Sequence, residues 1–202
     1  ALQLTRRAAF SAQAAGAPES LYRWQWQLGR LQTSSGRLDD AIASYRQAAA
    51  TLQPIRPEVA RASYDASTPD QESLRPLFFE LADLLLQRAG LTEDRQAAQT
   101  YLLVARDAVE AFKAAELREY FKDECVDAVQ ARITKPDQLS PTTAVIYPII
   151  FADRLDMLVS LPTGMTRITV PVSAATLAQE VRAFRRTVEK RTTREYLHHA
   201  QQ

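Results

Sequence analysis

The sequence predicts a mostly α-helical chain that ends in a small α+β portion, a three-stranded antiparallel meander followed by one more helix. Three observations carry that expectation. From Leu2 to Phe121 apolar residues recur at intervals of three and four, the repeat of one helix face. From Thr143 to Val172 the period changes to two and β-branched residues gather, which suits strands. Between Tyr22 and Ile55, small residues stand where two antiparallel helices would have to approach closely. On this reading the chain divides into a helical repeat region, 1–135, and an α+β region, 136–202, with Lys135-Pro136-Asp137 at the boundary.

Leu2, Leu4, Ala8, Ala9, Phe10 and Ala12 sit among good helix formers and Gly16-Ala17-Pro18 supplies a stop, so 1–15 reads as the second helix of an earlier repeat. The offsets of Leu28-Gly29, Gly36, Ala41, Tyr45 and Ala48, with Pro54 one place late, resemble a tetratricopeptide repeat of about 34 residues. Gly29, Ala41 and Ala48 would let the two helices meet, while Leu28, Leu38, Ile42 and Tyr45 fill the seam. Gly36 permits the turn. Gln25 stands where the pattern has a large aromatic, between Trp24 and Trp26. Either both tryptophans pack on adjacent helices, the usual fate of large aromatics in solenoids, or one is left for a neighbour or partner.

Pro54, Pro57 and Pro69 make the next stretch a linker with room for one short helix. Leu74, Leu77, Phe78, Leu81, Leu84 and Leu85 then form the stripe of an amphipathic helix over 71–90, which Pro76 starts or kinks. Gly90 to Asp94 is the turn. A long helix over 95–121 carries Ala98, Leu102, Ala105, Val109 and Phe112 in register. The pair resembles a second repeat with a turn about four residues longer than standard, Ala82, Ala98, Leu102 and Ala105 taking the packing roles.

In the α+β region, Val145 to Phe151 is apolar at nearly every position, as a strand buried on both faces would be. After the corner Ala152-Asp153-Arg154, the second strand sets Leu155, Met157, Val159 and Leu161 on its covered face. Pro162-Thr163-Gly164 turns the chain into a third strand over 165–172, with Ile168, Val170 and Val172 on one face. Ser173 is placed to cap a helix whose Leu177, Val181, Phe184 and Val188 would cover the sheet. Its other side carries Arg182, Arg185, Arg186, Lys190, Arg191 and Arg194.

Ala144-Val145-Ile146-Tyr147-Pro148-Ile149-Ile150, then Asp153-Arg154-Leu155-Asp156-Met157-Leu158-Val159-Ser160-Leu161-Pro162, then Val170-Pro171-Val172-Ser173 opening a basic helix, resemble the start of a CHAT domain. This is the caspase-like domain found attached to tetratricopeptide repeats. Residues 115–126, from Ala115 through Cys125 to Val126, resemble the junction that precedes such domains. The resemblance implies an interaction and regulatory module, with repeats that sense a partner and cysteine peptidase activity downstream; some members of the family act in prokaryotic defence. The family's catalytic histidine and cysteine follow the segment matched here, so no residue of this chain is assigned to that dyad and the chain alone is not expected to be an enzyme.

Twenty-five basic against 24 acidic residues exert no general pull toward nucleic acid or anionic membrane. The expected partners are a protein or peptide in the groove of the repeats and the rest of the chain's own CHAT domain. A single cysteine excludes an internal disulfide and fits a reducing compartment such as the cytoplasm. No apolar run reaches the roughly 18 residues needed to span a bilayer. The chain starts at Ala1 in helical pattern and runs out at Gln202, so both ends are expected to be cut.

Cys125 lies at a helix end before the sheet begins, with no histidine placed to act as its base. His198 and His199 are adjacent, and on a helix their side chains diverge by about 100° instead of converging on a metal. Asp39-Asp40 and Asp123-Glu124 sit near helix ends, where dipole or solvation roles suffice. Five isolated glycines build no phosphate loop. Neither cofactor nor metal is therefore expected. The arginines of the last helix alternate with Glu180, Glu189 and Glu195 and lack interleaved aromatics, which argues against nucleic acid and for a solvated or protein-facing surface. Candidate partner surfaces are thus Trp24 and Trp26, and Arg182, Arg185 and Arg186. The alternative is a stand-alone adaptor whose sheet and last helix only cap the helical array. In the CHAT reading the interrupted sheet is expected to leave an edge and some apolar surface open, so that the chain forms a homodimer by edge pairing or by exchange of the last helix.

Overall fold

A computed structural model describes residues 1–59, 74–121 and 143–189. The chain divides into two compact units, Ala1–Lys135 and Pro136–Gln202. The first is helical: α1 (Leu2–Ala14), α2 (Pro18–Ser34), α3 (Leu38–Leu52), α4 (Arg75–Leu91) and α5 (Arg95–Phe121). Each packs on the next, the sequential stacking of a helical array. After α3 the 3-10 turn Gln53–Ile55 leads into helical residues 56–59, and the rest of the linker expected up to Pro69 lies outside the described residues.

Local chemistry explains where these helices stop. At the end of α1, Ala17 N–H donates to Ala12 O and Gly16 N–H to Gln13 O; at the end of α2, Arg37 N–H donates to Gln32 O and Gly36 N–H to Thr33 O. Both ends are Schellman caps, which require a left-handed residue, and Gly16 and Gly36 supply φ of 63° and 71°. Pro18 and Pro76 occupy first turns, where a missing N–H costs nothing, so Pro76 starts α4 without kinking it. Gly90 lies inside α4, which runs to Leu91, so the turn is shorter than the expected Gly90 to Asp94.

In the α2–α3 hairpin Ala41 and Ala48 are fully buried, with Ile42 and Tyr45 beside them, while Leu28 is only half-buried. Gly29 faces the Tyr45 ring so closely that a Cβ there would stand 2.6 Å from Tyr45 Cδ2. In the α4–α5 hairpin Ala82 and Ala105 are fully buried and Leu102 nearly so, with Ala98 half-buried at the margin. Phe78 and Phe112 meet at 5.7 Å between ring centroids. The buried Arg56 guanidinium lies 5.4 Å and 5.2 Å from those two rings and donates to Phe112 O, which satisfies charge and hydrogen bond together.

The second unit holds β1 (Val145–Ile150), β2 (Leu155–Leu161) and β3 (Gly164–Val170) in one antiparallel sheet of order β1-β2-β3, followed by α6 (Ala174–Glu189). Register sets Tyr147, Leu158 and Arg167 across one row and Ile149, Asp156 and Thr169 across the next. On this face Tyr147, Ile149, Asp156, Leu158 and Met165 are buried.

Three expectations are overturned here. β1 is buried on one face only, since Ile146, Pro148 and Ile150 are exposed. On β2 the fully buried residues are Asp156 and Leu158, so Leu155, Met157, Val159 and Leu161 line the more open face. The reason is that Asp156 is neutralised in place by Arg154, two residues before it, and by Arg167, which the register of β3 brings to it. Lastly, α6 begins as foreseen, with Thr176 N–H donating to Ser173 Oγ at 3.1 Å, but none of its residues is buried. Val181, Phe184 and Val188 are 56%, 39% and 49% exposed, so the stripe does not cover the sheet.

Candidate interaction surfaces

Glu80 of α4 is the polar centre of the helical unit. Its Oε2 accepts from Trp26 Nε1 at 2.7 Å and from Tyr45 Oη at 2.7 Å, while Arg30 grips both oxygens at 3.1 and 2.9 Å. The Arg30 guanidinium also stacks 4.1 Å from the Trp26 ring. One carboxylate on α4 thereby ties together two residues of α2 and one of α3. Burial alone would raise the Glu80 pKa, but the bonds from Arg30, Trp26 and Tyr45 outweigh it and hold the group below the usual carboxylate range. Burial, then the bond to Glu80, pushes the Tyr45 phenol above its ordinary range.

The constellation fixes the two tryptophans differently. Trp26 is 4% exposed and committed to Glu80, whereas Trp24, two residues away on the opposite side of α2, is 41% exposed. A shallow groove of about 510 Å³ runs between them, lined by Ala1 and Thr5 and, on α2, by Ser20, Arg23, Gln27, Arg30 and Leu31, with Trp24 and Trp26 at its two flanks. Ser20, Arg23, Gln27, Arg30 and Leu31 recur at intervals of three and four, so they form the floor of the groove along one stripe of the helix. Arg23 Nε donates to Tyr22 Oη, and Arg30 is held by Glu80, which orders both guanidinium groups at the rim. The surface joins an apolar aromatic plate to ordered cations, the makings of a site for a chain with acidic and apolar side chains.

On α6, Arg182, Arg185 and Arg186 line a second, smaller hollow of about 310 Å³ together with Gln179 and Glu189. Arg185 Nε donates to Glu189 Oε1 at 2.8 Å, an i,i+4 pair with both partners exposed, worth about 0.3–0.5 kcal/mol. Lys190, Arg191, Arg194, His198, His199 and Cys125 lie outside the described residues. Asp39 of the Asp39-Asp40 pair accepts from Arg88 Nε at 2.8 Å, linking α3 to α4.

In the sheet, Asp156 is fully buried and accepts from Arg154 Nε at 3.0 Å and from Arg167 Nε and an Arg167 Nη at 2.9 Å each, with Thr169 Oγ1 as a further donor. Burial would raise its pKa, but the bonds from Arg167, Thr169 and Arg154 hold it below the usual range. Among the described residues no group of three or more His, Cys, Asp or Glu side chains is placed to hold a metal, and no helix is long and apolar enough to cross a membrane.

Sequence reasoning missed Glu80 and Arg30. The available signal was an acidic residue set within the apolar stripe of α4 between Leu77 and Leu84, where solvation alone gives a carboxylate no reason to be. Searches with protein-family models, against curated proteins and against solved structures find no match to this chain.

Proposed function

We propose that the chain is a protein-binding module whose helical hairpins take up an extended peptide or helix along the α2 groove. Trp24 is the observation that carries this reading: a tryptophan left 41% exposed on a packed helix, at the edge of a groove that Arg23 and Arg30 also line. Large aromatics flanked by arginine are the residue types that dominate binding energy at protein interfaces. The favoured ligand carries carboxylates spaced to meet Arg23 and Arg30 and an apolar side chain for the Trp24 ring.

The sequence resemblance supports a narrower form of the same proposal. In it the helical array is the regulatory, partner-sensing part of a CHAT-type, caspase-like cysteine peptidase, and the α+β unit is the opening of the peptidase domain. The catalytic pair would then lie downstream of the segment matched here, and this chain contributes recognition.

Peptide display against the purified chain tests the binding reading. Enriched peptides should combine Asp or Glu with an aromatic or aliphatic residue, and Trp24→Ala should weaken them by about tenfold or more at an unchanged melting temperature. Failure to enrich any peptide, or peptides indifferent to Trp24→Ala, would refute it.

A further inference from the structure

Among the described residues of the α+β unit two apolar surfaces are exposed, a broad sheet face and a narrow helix stripe. On the sheet, Ile146 is 58% exposed, Ile168 46% and Leu161 39%, with half-buried Met157 and Val159 between them in register. On α6 the stripe is Val181, Phe184 and Val188, exposed to a similar degree.

The start of α6 is pinned. Ala174 N–H donates to Ala152 O in the β1–β2 turn at 3.2 Å, Val172 N–H to Val170 O at 2.8 Å, and Ser173 caps the first turn. Only three residues separate β3 from the helix. The stripe then extends from about 10 to 20 Å beyond that anchor at 1.5 Å per residue. Laying it on the chain's own sheet would require breaking the bond to Ala152.

We infer that the sheet face carrying Ile146, Leu161 and Ile168 receives the Val181-Phe184-Val188 stripe of a second copy of this chain, each copy donating its α6 to the other about a two-fold axis. A self-complementary contact of this kind closes at two copies. Each copy exposes roughly 500 to 600 Å² of apolar surface over the two patches, so the exchange removes on the order of 1,000 Å² or more, the size at which specific interfaces begin. The side of α6 away from the stripe, with Arg182 and Arg186, remains turned to solvent in this arrangement.

Sedimentation of the 202-residue chain from roughly 1 to 100 µM should show a dimer forming with concentration, abolished by Phe184→Glu and by Ile168→Glu. Both positions are exposed, so each variant should keep the parent circular dichroism spectrum. Pairing is read by mixing a Phe184→Cys chain with an Ile168→Cys chain, each in a Cys125→Ser background, under mild oxidation. The mixture should cross-link at least about tenfold faster than either chain alone. A monomer throughout the range, a dimer insensitive to both glutamates, or a doubly substituted chain that closes within itself at high dilution would each overturn the inference.

Discussion

Replacing Gly29 by alanine sets two known effects against each other, and the structure says which wins. In a helix interior Gly→Ala ordinarily stabilises by about 1 kcal/mol, because alanine loses less backbone entropy on folding. Here the new Cβ would stand 2.6 Å from Tyr45 Cδ2 and 2.7 Å from Tyr45 Cε2. The ring cannot swing aside cheaply, since its hydroxyl is bound to Glu80 at 2.7 Å and the side chain is 2% exposed. Overpacking at such a site costs about 1–3 kcal/mol, and displacing the hydroxyl from a charged acceptor adds about 1.5 kcal/mol or more. Set against the gain in propensity, the net loss is about 2 kcal/mol. For a helical unit spanning Ala1–Lys135 the unfolding entropy is about 0.28 kcal/mol/K, which places the melting temperature about 7 °C lower. Thermal unfolding followed at 222 nm measures this. In a Tyr45→Ala background the penalty should vanish and Gly29→Ala should become neutral or stabilising. A single Gly29→Ala variant as stable as the parent would refute the close approach of α2 and α3.

The buried carboxylate gives a second prediction, with a sign fixed by its lowered pKa: Asp156 stabilises the folded unit at neutral pH, and that contribution is lost as pH falls below about 4, through the lowered folded-state value. Asp156→Asn should cost on the order of 3 kcal/mol at pH 7, because the Arg154 and Arg167 guanidinium groups lose the buried Asp156 carboxylate, and should flatten the acid limb of stability in denaturant titrations at pH 3 to 7; an unchanged limb would contradict it. Glu80 follows the same sign, and with its side chain 35% exposed Glu80→Gln should cost only about 1–2 kcal/mol at pH 7, read by urea unfolding. The tryptophans should separate by quenching: Trp26→Phe should leave red-shifted emission open to acrylamide, and Trp24→Phe should leave blue-shifted, protected emission. Equal quenching in both variants would mean that the two indoles are equally accessible.

The ends of α1 and α2 and the start of α6 depend on neighbours a few residues away and were legible in the sequence. Gly16 and Gly36 stop their helices because a Schellman cap needs a left-handed residue within the same turn, and Ser173 caps α6 through a hydroxyl three residues from its donor. The small residues Gly29, Ala41 and Ala48 announced the α2–α3 hairpin, since only a shared contact gives both helices a reason to lack side chains there. Tertiary structure decided the questions on which local pattern is symmetric. Trp24 and Trp26 are equally good candidates for burial until Glu80, more than fifty residues along the chain, selects Trp26 by accepting its indole N–H. On β2 both faces can be apolar, because Asp156 reads as a solvent residue until the register brings Arg167 and Thr169 opposite and next to it. A buried charge is tolerable only with its partners already in place, and apart from Arg154 those of Asp156 and Glu80 come from other strands and helices, whose positions no local periodicity contains.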